Sequence, residues 1–279
     1  MLTTINLIEC EQIKKIKLKS VSWSDLFENK TILYKYIADL LLDPENLLYY
    51  ATQKESSKTL VETRKYIKRL IENNTINIRI NDVMETIGWN KELDINNTIF
   101  QGDLAEYLMN ILLDKVTNIE TLISKISLKT SNSMPVYGND NVYFDYGNDI
   151  LYFGESKFYN DTNQALKRAV ESLKEHSNIT EISFVKNQTS SFIAENNIKR
   201  EKVVEKFDEL LIDDVIIKSI VFVISDDMYK KEDYEKTIIN FFNSADLAIE
   251  KTAEIMMVFL PILSKNEFLS YFIERIKYE

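Results

Sequence analysis

The chain carries one histidine, His176, and one cysteine, Cys10, among 279 residues. So few nitrogen and sulfur ligands exclude a His–Cys zinc centre, a Ser–His–Asp triad and a two-histidine phosphoryl-transfer site within one chain. A single cysteine also excludes an internal disulfide, which fits a reducing, cytoplasmic setting. Cys10 itself reads as a structural strand residue. No GxxxxGK[ST] phosphate loop occurs, so an ATPase of that kind is not expected. Long apolar runs are missing too. The densest late one, MMVFLPIL at 256–263, is far shorter than the ~20 residues of a membrane-spanning helix and suits a buried strand. The opening MLTTINLIECEQIKK lacks the basic region and apolar block of a secretion signal. No membrane association is expected.

Positive charge is in short supply: 34 Lys and Arg stand against 44 Asp and Glu, a net charge of -10. A protein that coats nucleic acid unaided is ordinarily basic, so the balance counts against that class. It counts less against an enzyme with a local basic surface, and it leaves room for a partner that supplies the grip on nucleic acid. The 45% apolar and 28% charged content is that of a soluble globular protein. The length allows one large core, or one core with a smaller module. With so little His and Cys, any metal must be held by carboxylates and carbonyls, ligands that suit Mg²⁺ or Mn²⁺.

Glycine is scarce, and four of the five (Gly102, Gly138, Gly147, Gly154) fall between 102 and 154. There the chain must turn tightly or pass close to something. Before that region, TTINLI and IKKIKLK read as a short strand pair. Residues from Trp23 to Trp89 read as mostly helical. LYKYIADLLL has helical periodicity and stops at Asp43-Pro44. SKTLVETRKYIKRLIE is a second helix candidate. Lys54, Lys58, Arg64, Lys65, Lys68 and Arg69 there oppose only Glu55 and Glu62: a backbone-contact surface or a solvated helix face. After residue 100 the pattern turns α/β, with a helix over 103–113, a strand in SKISLKT, hairpin strands at 141–146 and 150–155, and a helix over 163–176. The segment 182–211 reads as helical with a break near Asn196-Asn197. VIIKSIVFVI (215–224) has the composition of a central strand. A helix from Lys231, a buried strand at 255–261 and a closing helix from Asn266 complete the expectation. The predicted architecture is one mixed sheet with helices on both faces (96–279), preceded by a mainly helical N-terminal module (1–95).

The stretch from Tyr137 to Tyr159, YGNDNVYFDYGNDILYFGESKFY, concentrates the chemistry. With Gly147-Asn148 as a two-residue hairpin loop, Tyr146 faces Asp149, Phe144 faces Leu151, Val142 faces Phe153 and Asp140 faces Glu155. Side chains alternate along a strand, so the four apolar residues share one face with Asp140 and Glu155. Two carboxylates that close repel unless a cation or proton lies between them. Lys157, two residues beyond Glu155, points the same way. Asp140, Glu155 and the Ser156 backbone carbonyl can therefore hold a divalent cation that activates water and neutralises charge on a phosphodiester. Lys157 is placed to position that water or, deprotonated, to act as base. Gly154 allows a backbone or ligand close approach beside the metal. The competing explanation is that acidic residues gather at hairpin turns and ExK is common by chance. Asp145 and Asp149 are rival carboxylates; Asp145 has the wrong parity and Asp149 lies at the turn.

Glu106 in QGDLAEYLMNILL lies at the margin of an apolar helix arc, where it can lean toward the metal. Asp103 followed by Glu106 is equally a capping-box spacing. Gln164 opens the helix after the hairpin, either as a phosphate or metal neighbour or as a solvated first-turn residue. His176 ends that helix, where positive charge suits the dipole, and receives no catalytic role. Tyr143, Tyr152 and Tyr159 read as strand aromatics in preference to base-stacking platforms.

GNDNVYFDYGNDILYFGESK, preceded by GDLAEYL and followed by NQALKRAVESLKEH, resembles the PD-(D/E)xK nuclease superfamily. More closely it resembles the HamA family, the nuclease subunit of Hachiman anti-phage defence systems. The resemblance implies a restriction-endonuclease-like core and a metal-dependent DNA endonuclease using Mg²⁺, with Mn²⁺ as a substitute. Asp140 and Glu155 would be metal ligands, Lys157 the catalytic lysine and Glu106 the helix carboxylate. It also implies DNA as substrate and a HamB-like helicase partner, in a heterodimer, that restrains the nuclease until triggered. The PD of the superfamily name is Asn139-Asp140 here. The rival expectations are a stand-alone restriction or repair nuclease, and an inactive interaction subunit on a nuclease-like fold.

Overall fold

The structure, a computed structural model, describes residues 4–9, 16–22, 30–52, 69, 83–85, 88–90, 92–117, 119–124, 140–176, 182–183, 185–187, 198–212, 217–227, 231–244 and 252–278. Strands β1 (Thr4–Glu9) and β2 (Ile16–Ser22) precede helices α1 (Lys30–Leu41) and α2 (Pro44–Thr52). A long helix α3 (Thr98–Val116) leads into β3 (Ile119–Ser124), β4 (Asn141–Asp145) and β5 (Ile150–Phe158). Then follow α4 (Thr162–His176), α5 (Ile198–Ile212), β6 (Ile217–Ser225), α6 (Lys231–Ser244), β7 (Thr252–Pro261) and α7 (Lys265–Tyr278). The strands form one seven-stranded mixed sheet in the order β1-β2-β7-β6-β5-β4-β3. The β-branched run expected as a central strand is β6, the middle strand. It pairs in parallel with β5 and β7, and the connections through helices suit parallel neighbours.

Helices cover both faces, each above a different set of alternating strand residues. On one face α1, α3 and α7 pack over Tyr143, Tyr152, Phe158, Phe222 and Val258, with Trp89 wedged between Tyr107 and Phe272. On the other face α4 and α6 cover Val221, Val223, Met257 and Phe259, while α5 covers Val142, Phe144, Leu151 and Phe153. The expected N-terminal strand pair is present, and β2 joins the sheet by pairing in parallel with β7. Residues of α1 share the first core with α3 and α7. Asp43 stops α1 and starts α2, its Oδ1 accepting from the backbone N–H groups of Glu45 and Asn46, with Pro44 at the first helical position.

A strand, β3, runs up to Ser124, the first residue of SKISLKT, and the rest of that expected strand, 125–130, lies outside the described residues. Two local expectations change. The hairpin loop is longer than two residues: the ladder ends at Asp145↔Ile150. Asp145 Oδ1 accepts from the N–H groups of Gly147 and Asn148, and the left-handed residue is Asp149 at φ 51, not Gly147. Removing one pair at the turn leaves the register untouched. Val142↔Phe153 and Phe144↔Leu151 pair as expected. Finally, β5 runs three residues further than predicted, so Glu155, Ser156 and Lys157 lie within a strand.

Gly154 is required by close approach inside the protein, not by a ligand. A Cβ there would lie 2.5 Å from Tyr143 Cε2 and 3.1 Å from Met109 Cε, where α3 presses on the hairpin. Tyr143 is pinned in turn, its hydroxyl donating to Asn110 Oδ1 at 2.7 Å. Gly154→Ala must push α3 off the sheet or tilt that ring. It should cost about 1–3 kcal/mol, read as a lower urea midpoint with an unchanged slope.

Candidate active site

The site begins where β4 ends. Asn141 pairs with Gly154, yet β5 continues to Phe158, and among the described residues only β6 pairs with that extension. Backbone groups alternate direction along a strand, so those of Ser156 and Phe158 face the uncovered edge. Side chains close that edge in place of a strand. Asp140 donates its N–H to the Gly154 carbonyl at 3.0 Å, and its Oδ2 accepts from Ser156 N at 2.8 Å and Ser156 Oγ at 2.9 Å. Further along, Lys265 Nζ at the start of α7 donates to the Phe158 carbonyl at 2.8 Å. A cavity of about 620 Å³ opens along this edge, lined by Glu106, Asp140, Ser156, Lys157, Tyr159, Arg168 and Lys265 among others.

Alternation places Glu155 and Lys157 on the α4 face, level with Val221 and Val223 of β6. Glu155 is 2% exposed, and its Oε1 is ion-paired with Lys157 Nζ. Its Oε2 is buried and makes no hydrogen bond of ordinary geometry, with Ser172 the nearby hydroxyl that favours the ionised form weakly. Burial, with the Asp140 charge second, pushes the Glu155 carboxyl up to about 7, against smaller opposing effects of Lys157 and Ser172. Burial alone would lower the Lys157 ammonium; the charges of Glu155 and Asp140 outweigh it and hold Lys157 above the usual lysine range. Lys157 is therefore a cation, and its neighbour carries more negative charge than its surroundings compensate.

The fold brings Asp140, Glu155, Ser156 and Lys157 together at one end of the hairpin, and Glu106 joins from α3. The capping-box alternative for Glu106 fails. Asn97 caps the helix, its side chain accepting from Phe100 N, and Asp103 lies more than a turn inside. Glu106 is 3% exposed and borders the cavity. Asp145 and Asp149 sit at the far end of the hairpin, the first holding the turn and the second 2.9 Å from Lys202. Gln164 is exposed and does not line the cavity; its N–H is capped by Asp161. Tyr143 and Tyr152 are core residues, whereas Tyr159 borders the cavity. Cys10, Asn139 and the basic stretch 53–68 lie outside the described residues.

The sequence reading missed Lys265 and Arg168. Lys265 carried one faint signal: a cation in the first turn of a helix opposes the helix dipole. Burial lowers its ammonium below the ordinary lysine range, with the Asp226 charge opposing.

Oxygen donors dominate what could hold a metal: Asp140, the buried Oε2 of Glu155, and the edge-facing Ser156 carbonyl, with Glu106 across the cavity. Among the described residues no three Asp, Glu, His or Cys side chains converge closely enough to hold an ion by themselves. A cation here must draw on a backbone carbonyl and water. That set fits a hard cation that keeps water ligands, as Mg²⁺ does. No described helix is long and apolar enough to cross a membrane.

The folded state binds a proton at Glu155 more tightly than the unfolded chain does. The stability this group contributes is complete below about 4.5 and is lost as pH rises through about 7. With chelator present, the urea midpoint should fall between pH 5 and pH 8, and Glu155→Gln should flatten that fall by on the order of 1–3 kcal/mol.

Comparison with known proteins gives one match of wide extent: the HamA family model covers residues 3–276. No curated protein matches the chain.

Proposed function

The chain belongs to the HamA family, the family of the Hachiman anti-phage defence systems, and from that premise we propose that it is a Mg²⁺-dependent deoxyribonuclease subunit built on a PD-(D/E)xK core. One observation carries the reading. Asp140 is bonded across an open strand edge to Ser156, directly beside a buried Glu155–Lys157 ion pair, at the wall of a cavity. A structural salt bridge would not need a second carboxylate that raises the first one's pKa, nor a buried carboxylate oxygen left without a hydrogen bond of ordinary geometry.

In this reading Asp140, Glu155 and the Ser156 carbonyl hold the divalent cation, with Glu106 as a further carboxylate on the α3 side. When bound, the ion lowers the pKa of water and offsets charge on the phosphate. Lys157 orients the attacking water and shares the negative charge that grows on the phosphoryl oxygens. The Glu155–Lys157 contact must loosen for the ion to reach both carboxylates, because Glu155 lies behind the cavity wall. A helicase partner in a heterodimer restrains the nuclease and, once triggered, delivers DNA to it. The net charge of -10 supports a division of labour in which the partner supplies most of the DNA affinity.

A second reading draws on the same hidden Glu155: a catalytically inactive interaction subunit that keeps the ion pair as a structural element. Plasmid cleavage with Mg²⁺, with and without the helicase, separates the two. Lys157→Ala should fold normally and lower cleavage at least about 100-fold; wild-type turnover by that variant would refute the role given to Lys157, whereas no cleavage by the wild type, alone or with the helicase, would establish the inactive interaction subunit. Calorimetry should show Mg²⁺ or Mn²⁺ binding by the wild type and its loss in Glu155→Ala. Asp145→Ala, at the distant turn, should keep turnover within about twofold.

A further inference from the structure

The cavity has a second buried cation that the proposed hydrolytic site does not use. Lys265 is 8% exposed. Its Nζ donates to the Phe158 carbonyl and lies 4.9 Å from the Phe158 ring centre and 5.7 Å from that of Tyr159. Its backbone N–H is held by Asp226 Oδ1. No described carboxylate forms an ion pair with the ammonium; Asp226 acts on it only from a distance. A lysine ammonium has three N–H donors, and one is committed here. The chain also accepts local strain to put the residue there. Leu263, two residues earlier, holds φ at 70, a left-handed conformation that is costly for a branched side chain.

The geometry around β5 explains what such a cation can do. Lys157 approaches the open edge from the α4 layer, and Lys265 approaches it from the α7 layer. The same cavity wall carries Asp140 and Ser156, bonded to each other at the edge of β5. A nucleic-acid strand laid along this edge would place one phosphate at the acidic group and Lys157, and a neighbouring phosphate against Lys265. The Phe158 and Tyr159 rings shield the ammonium from water and favour a cation over their faces. They hold the charge without neutralising it.

We infer that Lys265 is a phosphate-binding residue that grips the DNA backbone beside the cleaved linkage and sets the strand's register in the cavity. This subsite rests on the nuclease reading, and its role is in binding and positioning the strand, not in bond breaking.

The test is steady-state cleavage of a labelled DNA duplex by the full chain with Mg²⁺, comparing wild type, Lys265→Met and Lys265→Arg over a salt series. Methionine keeps the apolar stem over the two rings. Lys265→Met should raise KM about tenfold with kcat within about threefold, since a charge-assisted phosphate bond is lost. The dependence of log KM on log salt should become shallower by about one. Lys265→Arg should recover most of the KM. A methionine variant with wild-type KM and salt slope overturns the inference. So does a joint collapse of kcat and melting temperature that arginine does not rescue, which would make Lys265 a tie between α7 and β5. Where the chain alone is silent, the same series is run with the helicase partner; if the folded wild type cleaves no DNA there either, the nuclease reading fails by itself. Anisotropy of the labelled duplex in Ca²⁺ then decides the subsite: weaker binding by Lys265→Met sustains it, and equal binding ends it.

Discussion

A strand that outruns its neighbour controls this site. β4 stops at Asn141 while β5 carries on through Glu155, Ser156, Lys157 and Phe158. Backbone donors and acceptors inside a protein must find partners. Here an aspartate takes one N–H and a lysine serves one carbonyl, in place of a strand. A paired strand is fixed by a whole ladder and cannot be displaced by a ligand. Side chains can move, and they bring charge. The open edge is thus satisfied in the resting protein and remains available for chemistry.

The same edge gathers residues from both helix layers. Alternation sends Glu155 and Lys157 under α4, and Ser156 and Phe158 under α3 and α7. Arg168 therefore arrives from one side, and Glu106 and Lys265 from the other. The carboxyl ends of the parallel strands β5 and β6 are tied nearby. Thr162 Oγ1 lies 2.8 Å from Ser225 Oγ, and Asn160 Nδ2 donates to Asp226 Oδ2 at 2.8 Å. Those ties fix the start of α4 against the carboxyl end of β6. Crevices at the carboxyl ends of parallel strands are where α/β sheets most often bind ligands.

The hairpin was legible because its information is local. Period-two alternation and one loop position determine every cross-strand pair, and the register survived an error in loop length because both strands lost one residue. The mixed sheet and its two helix layers follow from apolar periodicity, so most elements fell close to their expected bounds; the strand order does not, because periodicity marks the buried face and not the neighbour. Glu106 was ambiguous because Asp103 offers a plausible cap; Asn97, six residues before the expected start, won by bonding Phe100 N. Gly154 was legible as a close approach, but its neighbour was not. A ring from the next strand and a methionine from α3 fill the space, and only the packed structure brings them there. Lys265 was illegible for a stronger reason. Its partner Phe158 is 107 positions away, and the one local sign, a cation that opposes the helix dipole, does not distinguish it from a surface lysine at a helix start.

Electrostatics limits what the cavity can bind unaided. Its wall holds five carboxylates (Asp103, Glu106, Asp140, Glu171, Glu175) against three cations (Lys157, Arg168, Lys265). Arg168 is already engaged by Glu171 at 3.1 Å. A phosphate approaching this surface meets net repulsion, added to the field of a chain with charge -10. On the proposed function, divalent cations would reverse the local sign, and a helicase partner that holds the duplex would remove the need for the cavity to capture DNA from solution. On the proposed function the acidic wall then has two consequences: it draws in the metal ion, and it keeps the uncomplexed subunit off chromosomal DNA. Lys265 matters within that scheme because it belongs to the protein and is in place before any metal arrives. It gives an incoming strand one favourable contact at a fixed place, and the register of cleavage is set from there.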